Sequence, residues 1–510
     1  METDRKQIKN GLKYKKNGWT YISIKGEPKE RGYAYGFLVG KDFEEIQKTL
    51  QFLSMEEFGR EWSFFVENSS RLFNKTIETN FNEFYLEMEG MVEGYKDAGV
   101  ETTIDEVIAW NNYFSLTGSW YPKEYESSGR NEGGGKDRCS AFICTGEYTT
   151  DGKIVSGHNN FSQFADGQYG CQVLDINPSN GGSRMLIQGF LGWIWSGTDF
   201  FVSSSGIFGT ETTIGGFNGF ENKDPLFCRI RNAMQYGETL DDYVSMLLKE
   251  NSGDYANSWL FGDFNTNEIM RLELGLNYHN VERKSNGYFI GCNVAFDDKL
   301  RNLECSNTGF NDIRRHNGSR KVRIPQLMEE YKGKINIEIG KLIMSDHYDV
   351  YLKKDFPCSR TICSHYDNDP REFMSDPSRP LPYQPRGAID GNLIDADMGL
   401  KMSFCLKYGR SCDIPFDKEI FFKENPQWLR YKPYIKSRKN NEWTIFTITN
   451  DFYKEGSNKT FKNVNKKKYT NKKTLKNKIK ENKENKENKE NKENKENKEN
   501  KENKENKESK

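Results

Sequence analysis

Histidine is scarce in this sequence, with five residues in 510. Chemistry built on clustered imidazoles therefore has little material. Cysteine is commoner, but its ten positions (139, 144, 171, 228, 292, 305, 358, 363, 405 and 412) contain no Cys-x-x-Cys pair. Without that spacing the pattern argues against a structural zinc site, and no metal is expected. Long hydrophobic runs are missing too. The most apolar stretch, 186–195 (LIQGFLGWIW), is interrupted by Gln188 and by glycine, and is about half the length that spans a bilayer. The first residues, METDRKQIKNGLKYKKNGW, contain no apolar h-region, so no secretory signal is read from them. That favours synthesis in a reducing, cytoplasmic setting, where scattered cysteines stay unbridged.

Net charge is absent overall, with 75 basic and 75 acidic residues, but the balance hides a division. Residues 459–510 hold 20 Lys against 10 Glu, so the first 458 residues carry the matching acidic excess. An acidic body argues against nucleic-acid recognition there. Within the basic end, 459–480 has ten Lys and no acid, and 481–510 is a Glu-Asn-Lys triplet repeated nine times before Glu-Ser-Lys. A three-residue period does not match a helix of about 3.6 residues per turn. The repeat also has no apolar side chain to bury, so a disordered tail is expected. It is either a solvated repeat expansion or a basic anchor for nucleic acid or an anionic surface.

What is plentiful is aromatic side chain, 14% of the residues, enough for a large core. Residues 21–25 (YISIK) alternate like a strand, and Glu30-Arg31-Gly32-Tyr33-Ala34-Tyr35-Gly36 leads into a helical pattern that runs to Leu50. Phe84, Met88 and Met91 recur at helical spacing, as core packing does. The cluster 126–138 (ESSGRNEGGGKDR) has the composition of an exposed, flexible loop. After it the texture changes. Cys139-Ser-Ala-Phe-Ile-Cys144 is strand-like, Asp151-Gly152 signals a hairpin turn, and 153–158 (KIVSGH) is the returning strand. Further strands are predicted at 172–176, 184–190, 200–204, 206–213, 259–263 and 269–274, with helices at 225–234 and 240–249. Hairpins interspersed with helix pairs suggest sheets sandwiched by helices.

A cysteine that opens a strand after a flexible loop has two readings. It is a buried core residue, or it is a nucleophile exposed by cleavage. In the second case, breaking the Arg138–Cys139 bond makes Cys139 a new N-terminus. The freed α-amine has a reference pKa of about 7.7–8.0 and is partly neutral near pH 7. It accepts the thiol proton itself, so no Cys-His dyad is needed.

Cys139-Ser-Ala-Phe-Ile, Asp151-Gly152-Lys153 and Gly157-His158-Asn159 resemble the start of the mature chain in the penicillin acyltransferase-like family of autoproteolytic cysteine hydrolases, which is related to the phospholipase B-like proteins. The resemblance continues through 196–201 (SGTDFF), 210–214 (TETTI), 255–259 (YANSW), 267–275 (NEIMRLELG), 346–351 (DHYDVY), 359–363 (SRTIC) and 412–416 (CDIPF). Upstream, 30–36 resembles the family's propeptide. It implies an α+β fold, a four-layer αββα sandwich of the N-terminal-nucleophile hydrolases. A mostly helical propeptide-like segment (1–138) would precede the catalytic domain (139–458) and the tail (459–510). It also implies self-cleavage between Arg138 and Cys139, a thioester at Cys139, and Asn257 as the oxyanion donor. His158 and Asn159 would stand near the nucleophile. Arg360 would bind a substrate carboxylate, support the processing site or form a salt bridge. Trp195, with Trp193 and Phe200, would line the substrate pocket or pack the core. The substrate is expected to be an acyl amide or ester, such as an N-acyl small molecule or a lipid ester, with no cofactor. Relatives of this kind extend the expected location to a lysosome-like or extracellular one. A catalytically silent binding protein on the same fold is the alternative of another class. Two departures stand out: Asn160-Phe161 follows His158-Asn159 where relatives often have a small hydroxyl residue and Trp, and Arg138 precedes the nucleophile where they have a small residue.

Overall fold

Two large sheets, each built from alternating strands, organise the chain in the computed structural model. The structure describes residues 2–125, 139–197, 200–370, 376 and 381–450. The expectations placed on Arg138, on the 126–138 loop and on the 459–510 tail lie outside the described residues.

Among the described residues, the first sheet runs Thr3–Ile8, Gly11–Lys16, Trp19–Gly26, Gln172–Pro178, Met185–Gly189, Phe200–Ser203, Ile207–Thr213, Asn257–Asp263, Glu268–Leu274 and His279–Lys284. Its neighbours are antiparallel with one exception. Trp19–Gly26 lies parallel to Gln172–Pro178, in register from Thr20↔Gln172 to Gly26↔Pro178. That ladder stitches the N-terminal segment to the rest. The second sheet runs Gly287–Gly291, Cys139–Thr145, Val155–Gln163, Asp390–Asp395, Ser403–Tyr408 and Thr444–Thr447, and Arg386–Ala388 pairs with the far end of Val155–Gln163.

The inner faces of the two sheets meet. A Cβ on Gly262 would touch Ile143 and Ile154 at 3.1 and 3.2 Å, and Phe200 packs on Phe404 with ring centroids 5.7 Å apart. Helices cover the outer faces. Tyr243, on the Leu240–Leu248 helix, packs on Phe201 and Phe261 of the first sheet. The Ile337–Met344 helix approaches the second sheet so closely that a Cβ on Gly340 would lie 2.7 Å from Leu393.

The N-terminal segment carries three strands before its helices, where the sequence suggested one. The first, Thr3–Ile8, is an almost wholly exposed edge with charged side chains. Such a strand has no buried face to impose alternation, so its pattern is silent. The Pro28–Phe58 helix follows, started by Pro28 in its first turn and a Glu27/Glu30 capping box, and ended by Gly59 at φ 62°. It crosses the Asn82–Asp97 helix backbone to backbone. Gly32 faces the Glu87 carbonyl, Gly36 the Met91 carbonyl, and Gly90 and Gly94 the carbonyls of Lys29 and Tyr33. Arg31 between them is fully buried, with Nε donating to Glu87 at 2.7 Å. Phe84, Met88 and Met91 fill the core below.

Candidate active site

Cys139 is the first residue of its strand, and register decides what stands beside it. The pairing is Cys139↔Asn160, Ser140↔Asn159 and Ala141↔His158. Directly opposed residues share a face, and neighbours along a strand alternate. Asn160 and His158 therefore lie on the Cys139 face, and Asn159 on the reverse. The contacts agree. The Cys139 thiol donates to Asn160 Oδ1 at 3.9 Å. Asn159 Nδ2 instead donates to the carbonyls of Met344 (2.8 Å) and Ile362 (3.0 Å), behind the sheet.

The backbone of Cys139 is held on both sides. Its N–H donates to Asn293 Oδ1 at 3.3 Å, and its carbonyl accepts from Arg320 Nη1. The same guanidinium donates to Ser140 Oγ at 3.1 Å and to Asn293 Oδ1 at 2.8 Å. Arg320 comes from the His316–Glu330 helix, is fully buried, and rests on the Phe161 ring, 5.2 Å from its centroid. Asn293 Nδ2 then donates to the Thr213 carbonyl at 2.8 Å, and Thr213 pairs with Asn257, the first residue of the neighbouring strand. Asn257 thus sits at the same end of the sandwich as Cys139. Both atoms of its side-chain amide are buried without a hydrogen-bond partner. By alternation it continues the face of Trp259 and Phe261, not the face that looks across at the second sheet.

Behind Asn160 lies a buried polar set. Asp390 Oδ1 accepts from the Asn160 N–H and from Asn392 Nδ2, both at 2.9 Å, and Gln188 Nε2 reaches Asp390 Oδ2 at 3.2 Å. Complete burial outweighs these donors and pushes the Asp390 carboxyl up to about 8, so it is mostly protonated at neutral pH. His158 is fully enclosed as well, with Nδ1 3.4 Å from Asn392 Nδ2 and Nε2 lacking a partner. Burial drives its pKa down to about 3. So weak a base does not hold a proton taken from a thiol, and His158 is neutral at pH 7.

The other expected residues are elsewhere occupied. Arg360 Nε and Nη2 both donate to Asp349 Oδ2, at 2.8 and 2.7 Å, so the guanidinium fork is engaged by a buried carboxylate. Trp195 stacks on Trp193 at 4.9 Å, and Trp193 packs against Trp110 and Phe114 of the N-terminal segment. All of these rings are buried, and Phe200 lies between the sheets. A cleft of about 950 Å³ opens far from them in sequence, lined by Gln47, Gln51, Trp62, Ser70 and Glu106 among others, and Cys139 does not border it.

Sequence reasoning missed Asn293, Arg320, Asp390 and Asn392, which carry no local motif. Asn160 was visible only as a departure from relatives, and the strand pairing makes it the neighbour of the sulfur. The ten cysteines are unbridged, but His347, Cys363, His365 and Cys412 converge although their spacing argued against a metal site.

No family model matches the chain. The chain is distantly similar to a phospholipase B-like protein. That relative, phospholipase B-like protein C of Dictyostelium discoideum, is 22% identical over 300 residues, covering 49% of this chain and 51% of its own. The chain thus spans about half the length of the curated relative it matches. Among solved structures, penicillin V acylase from Agrobacterium tumefaciens matches with a TM-score of 0.31 and 12% identity, over 53% of this chain and 83% of that one. The fold described above rests on its own strand order and packing. Among the described residues, no helix is long and apolar enough to cross a membrane.

Proposed function

We propose that this chain is a self-processing cysteine hydrolase of the N-terminal-nucleophile type, acting on acyl amide or ester bonds through a thioester at Cys139. The observation that carries the reading is the environment of Cys139. It begins a central strand, its thiol meets the Asn160 amide, and its N–H and carbonyl are both held by buried side chains. Any buried strand end must pair its N–H and carbonyl, so the contact of the thiol with a side-chain amide carries the most weight. The two facing sheets with helices outside them are the layers that such a hydrolase uses.

In processing, the Cys139 sulfur attacks the carbonyl carbon of Arg138. The peptide C–N bond breaks, the nitrogen takes a proton and becomes the α-amine, and water hydrolyses the resulting thioester. In turnover the amine accepts the thiol proton, sulfur attacks the substrate carbonyl, and the leaving amine or alcohol takes that proton back. Water then releases the acid. The oxyanion of each tetrahedral intermediate needs a donor aimed at it. Asn257 is the donor assigned by resemblance; its buried amide is unpartnered, but it lies on the face turned from the second sheet, so the role requires the end of its strand to turn that amide towards Cys139. Asn160 holds the sulfur in line. The similarity to a phospholipase B-like protein favours a lipid acyl ester as one substrate class.

Two measurements test this. Intact mass of the full-length protein is expected to show scission between Arg138 and Cys139, and Cys139→Ala is expected to abolish both scission and labelling by a thiol-directed acyl probe. An uncleaved wild-type chain with no labelling at Cys139 points instead to a silent binding protein. Asn257→Ala is expected to lower kcat by roughly 10²–10³-fold, the scale of losing one oxyanion donor. Normal turnover in that variant moves the role to Asn160. A panel of acyl amides and acyl esters separates the substrate classes.

A further inference from the structure

We infer that His347, Cys363, His365 and Cys412 form a tetrahedral zinc site. The four are far apart in sequence, yet their ligand atoms all lie within 4.8 Å of one another. His347 Nε2 is 3.1 Å from His365 Nε2, and the sulfurs of Cys363 and Cys412 are each 3.5 Å from that same nitrogen. A regular tetrahedron with zinc bonds of about 2.3 Å to sulfur and about 2.0–2.1 Å to nitrogen places N and N about 3.3 Å apart and S and N about 3.5 Å apart. The three separations around His365 Nε2 match those figures.

Hydrogen bonding alone does not account for the arrangement. One imidazole nitrogen carries either a single proton or a single lone pair in the ring plane. Here three groups converge on His365 Nε2, and it satisfies one of them. An ion at the centre satisfies all four at once. The charges also balance. Two thiolates and a divalent cation sum to zero, so the complex is cheap to bury, and the two thiol protons leave to solvent on binding. Cys363 and Cys412 share their enclosure with Phe161 and Ala388, an apolar wall that excludes water. The nearby charges are already paired, Arg323 with Asp346 and Arg410 with Asp367. Thiolate and imidazole in a tetrahedron select zinc over magnesium or calcium.

The backbone holds the ligands in place. The Cys363 N–H donates to the Asp346 carbonyl at 3.3 Å, the His365 N–H to Cys358 at 3.0 Å, and Ser411 Oγ to Met344 at 2.6 Å. One feature departs from common sites: His365 Nδ1 is buried without an acceptor, where a ligand imidazole usually donates onward. Four protein ligands leave no open position, so the role is structural. The ion fastens the segment bearing His347, Cys363 and His365 to the turn bearing Cys412. Both lie against the Val155–Gln163 strand that supplies Asn160, through Phe161 and through the Asn159 bond to Ile362.

The test uses the untagged full-length protein, produced with zinc supplied and purified without chelator. Elemental analysis is expected to find one zinc per chain, and X-ray absorption to show two sulfur and two nitrogen ligands. Cobalt exchanged into the wild type is expected to give the intense visible bands of a tetrahedral thiolate complex. The Cys363→Ser/Cys412→Ser double variant is expected to lose the metal, whereas Cys139→Ala keeps it. Should the double variant fail to fold, the wild-type absorption and cobalt spectra still decide. A metal-free wild type, whether its Cys363 and Cys412 are free thiols or a disulfide, overturns the site. So does a bound metal with fewer than two sulfur ligands.

Discussion

The buried residues around Cys139 make opposite demands on pH. Asp390 is held protonated, with its pKa raised to about 8, and His158 is held neutral, with its pKa lowered to about 3. The folded protein keeps the Asp390 proton that the unfolded chain gives up near pH 4. The stability tied to that proton is therefore complete below about pH 4 and is lost as pH rises to about 8. His158 acts in reverse. Its contribution is complete above about pH 6.5 and is lost as pH falls towards 3. Between about pH 4 and 6.5 the two slopes oppose each other, and above that window Asp390 acts alone. Asp390→Asn keeps the shape and removes the titration. Its stability relative to the wild type is expected to improve steadily from pH 6.5 to 8, read from denaturant midpoints at each pH. A constant offset across that range would show that Asp390 is already ionised in the folded protein.

Elements of the core were readable because their patterns are local, and the parts that failed are those set by tertiary partners. The strand from Cys139 and its hairpin partner followed from alternation and from Asp151-Gly152. Which of Asn159 and Asn160 meets the sulfur depended on register, since a shift by one residue exchanges the faces. Arg320 and Asp390 had no signal at all, because each matters only once a distant helix or strand is docked. The four-ligand cluster escaped for a related reason: its spacing is wide, and short Cys-x-x-Cys spacing is the usual clue. The Glu30 to Gly36 stretch was read through its resemblance to a propeptide, and the structure supplies its physics. Its glycines permit two helices to touch, and its arginine pairs with Glu87 inside the contact. A Cβ at Gly36 would lie 2.1 Å from the Met91 carbonyl, which forces the backbones apart. Gly36→Ala is expected to destabilise by about 1–3 kcal/mol or more, the range for overpacking, and to lower Tm by several degrees. Gly118→Ala is the control, since a Cβ there meets nothing within 4 Å. Equal melting of the two variants would mean that the crossing is looser than described.

Over the whole molecule, the proposed cut falls between two halves that share one core. The N-terminal half contributes three strands to the first sheet and joins it through the Trp19–Gly26 ladder. Its Glu87 is fully buried and pairs with both Arg31 of its own half and Arg231 of the other, at 2.7 and 3.2 Å. Trp110 Nε1 donates to the Leu191 carbonyl, and the Tyr35 hydroxyl to the Trp193 carbonyl, both at 2.9 Å. Separating the halves strips all of these at once. Leaving one member of a buried ion pair unpaired costs about 3–5 kcal/mol by itself, before the aromatic area between Trp110, Phe114 and Trp193 is counted. Scission of one peptide bond therefore does not release the first segment. Processed protein is expected to elute from a sizing column as one species with the mass of the intact chain, and to split into two chains only in denaturant. The segment also stays over Trp193, so a substrate of the proposed reaction does not reach Cys139 through the tryptophan pair. If the 1–138 fragment instead elutes separately under native conditions, the shared sheet is not what holds the halves together, and the tryptophans become the exposed wall of a pocket.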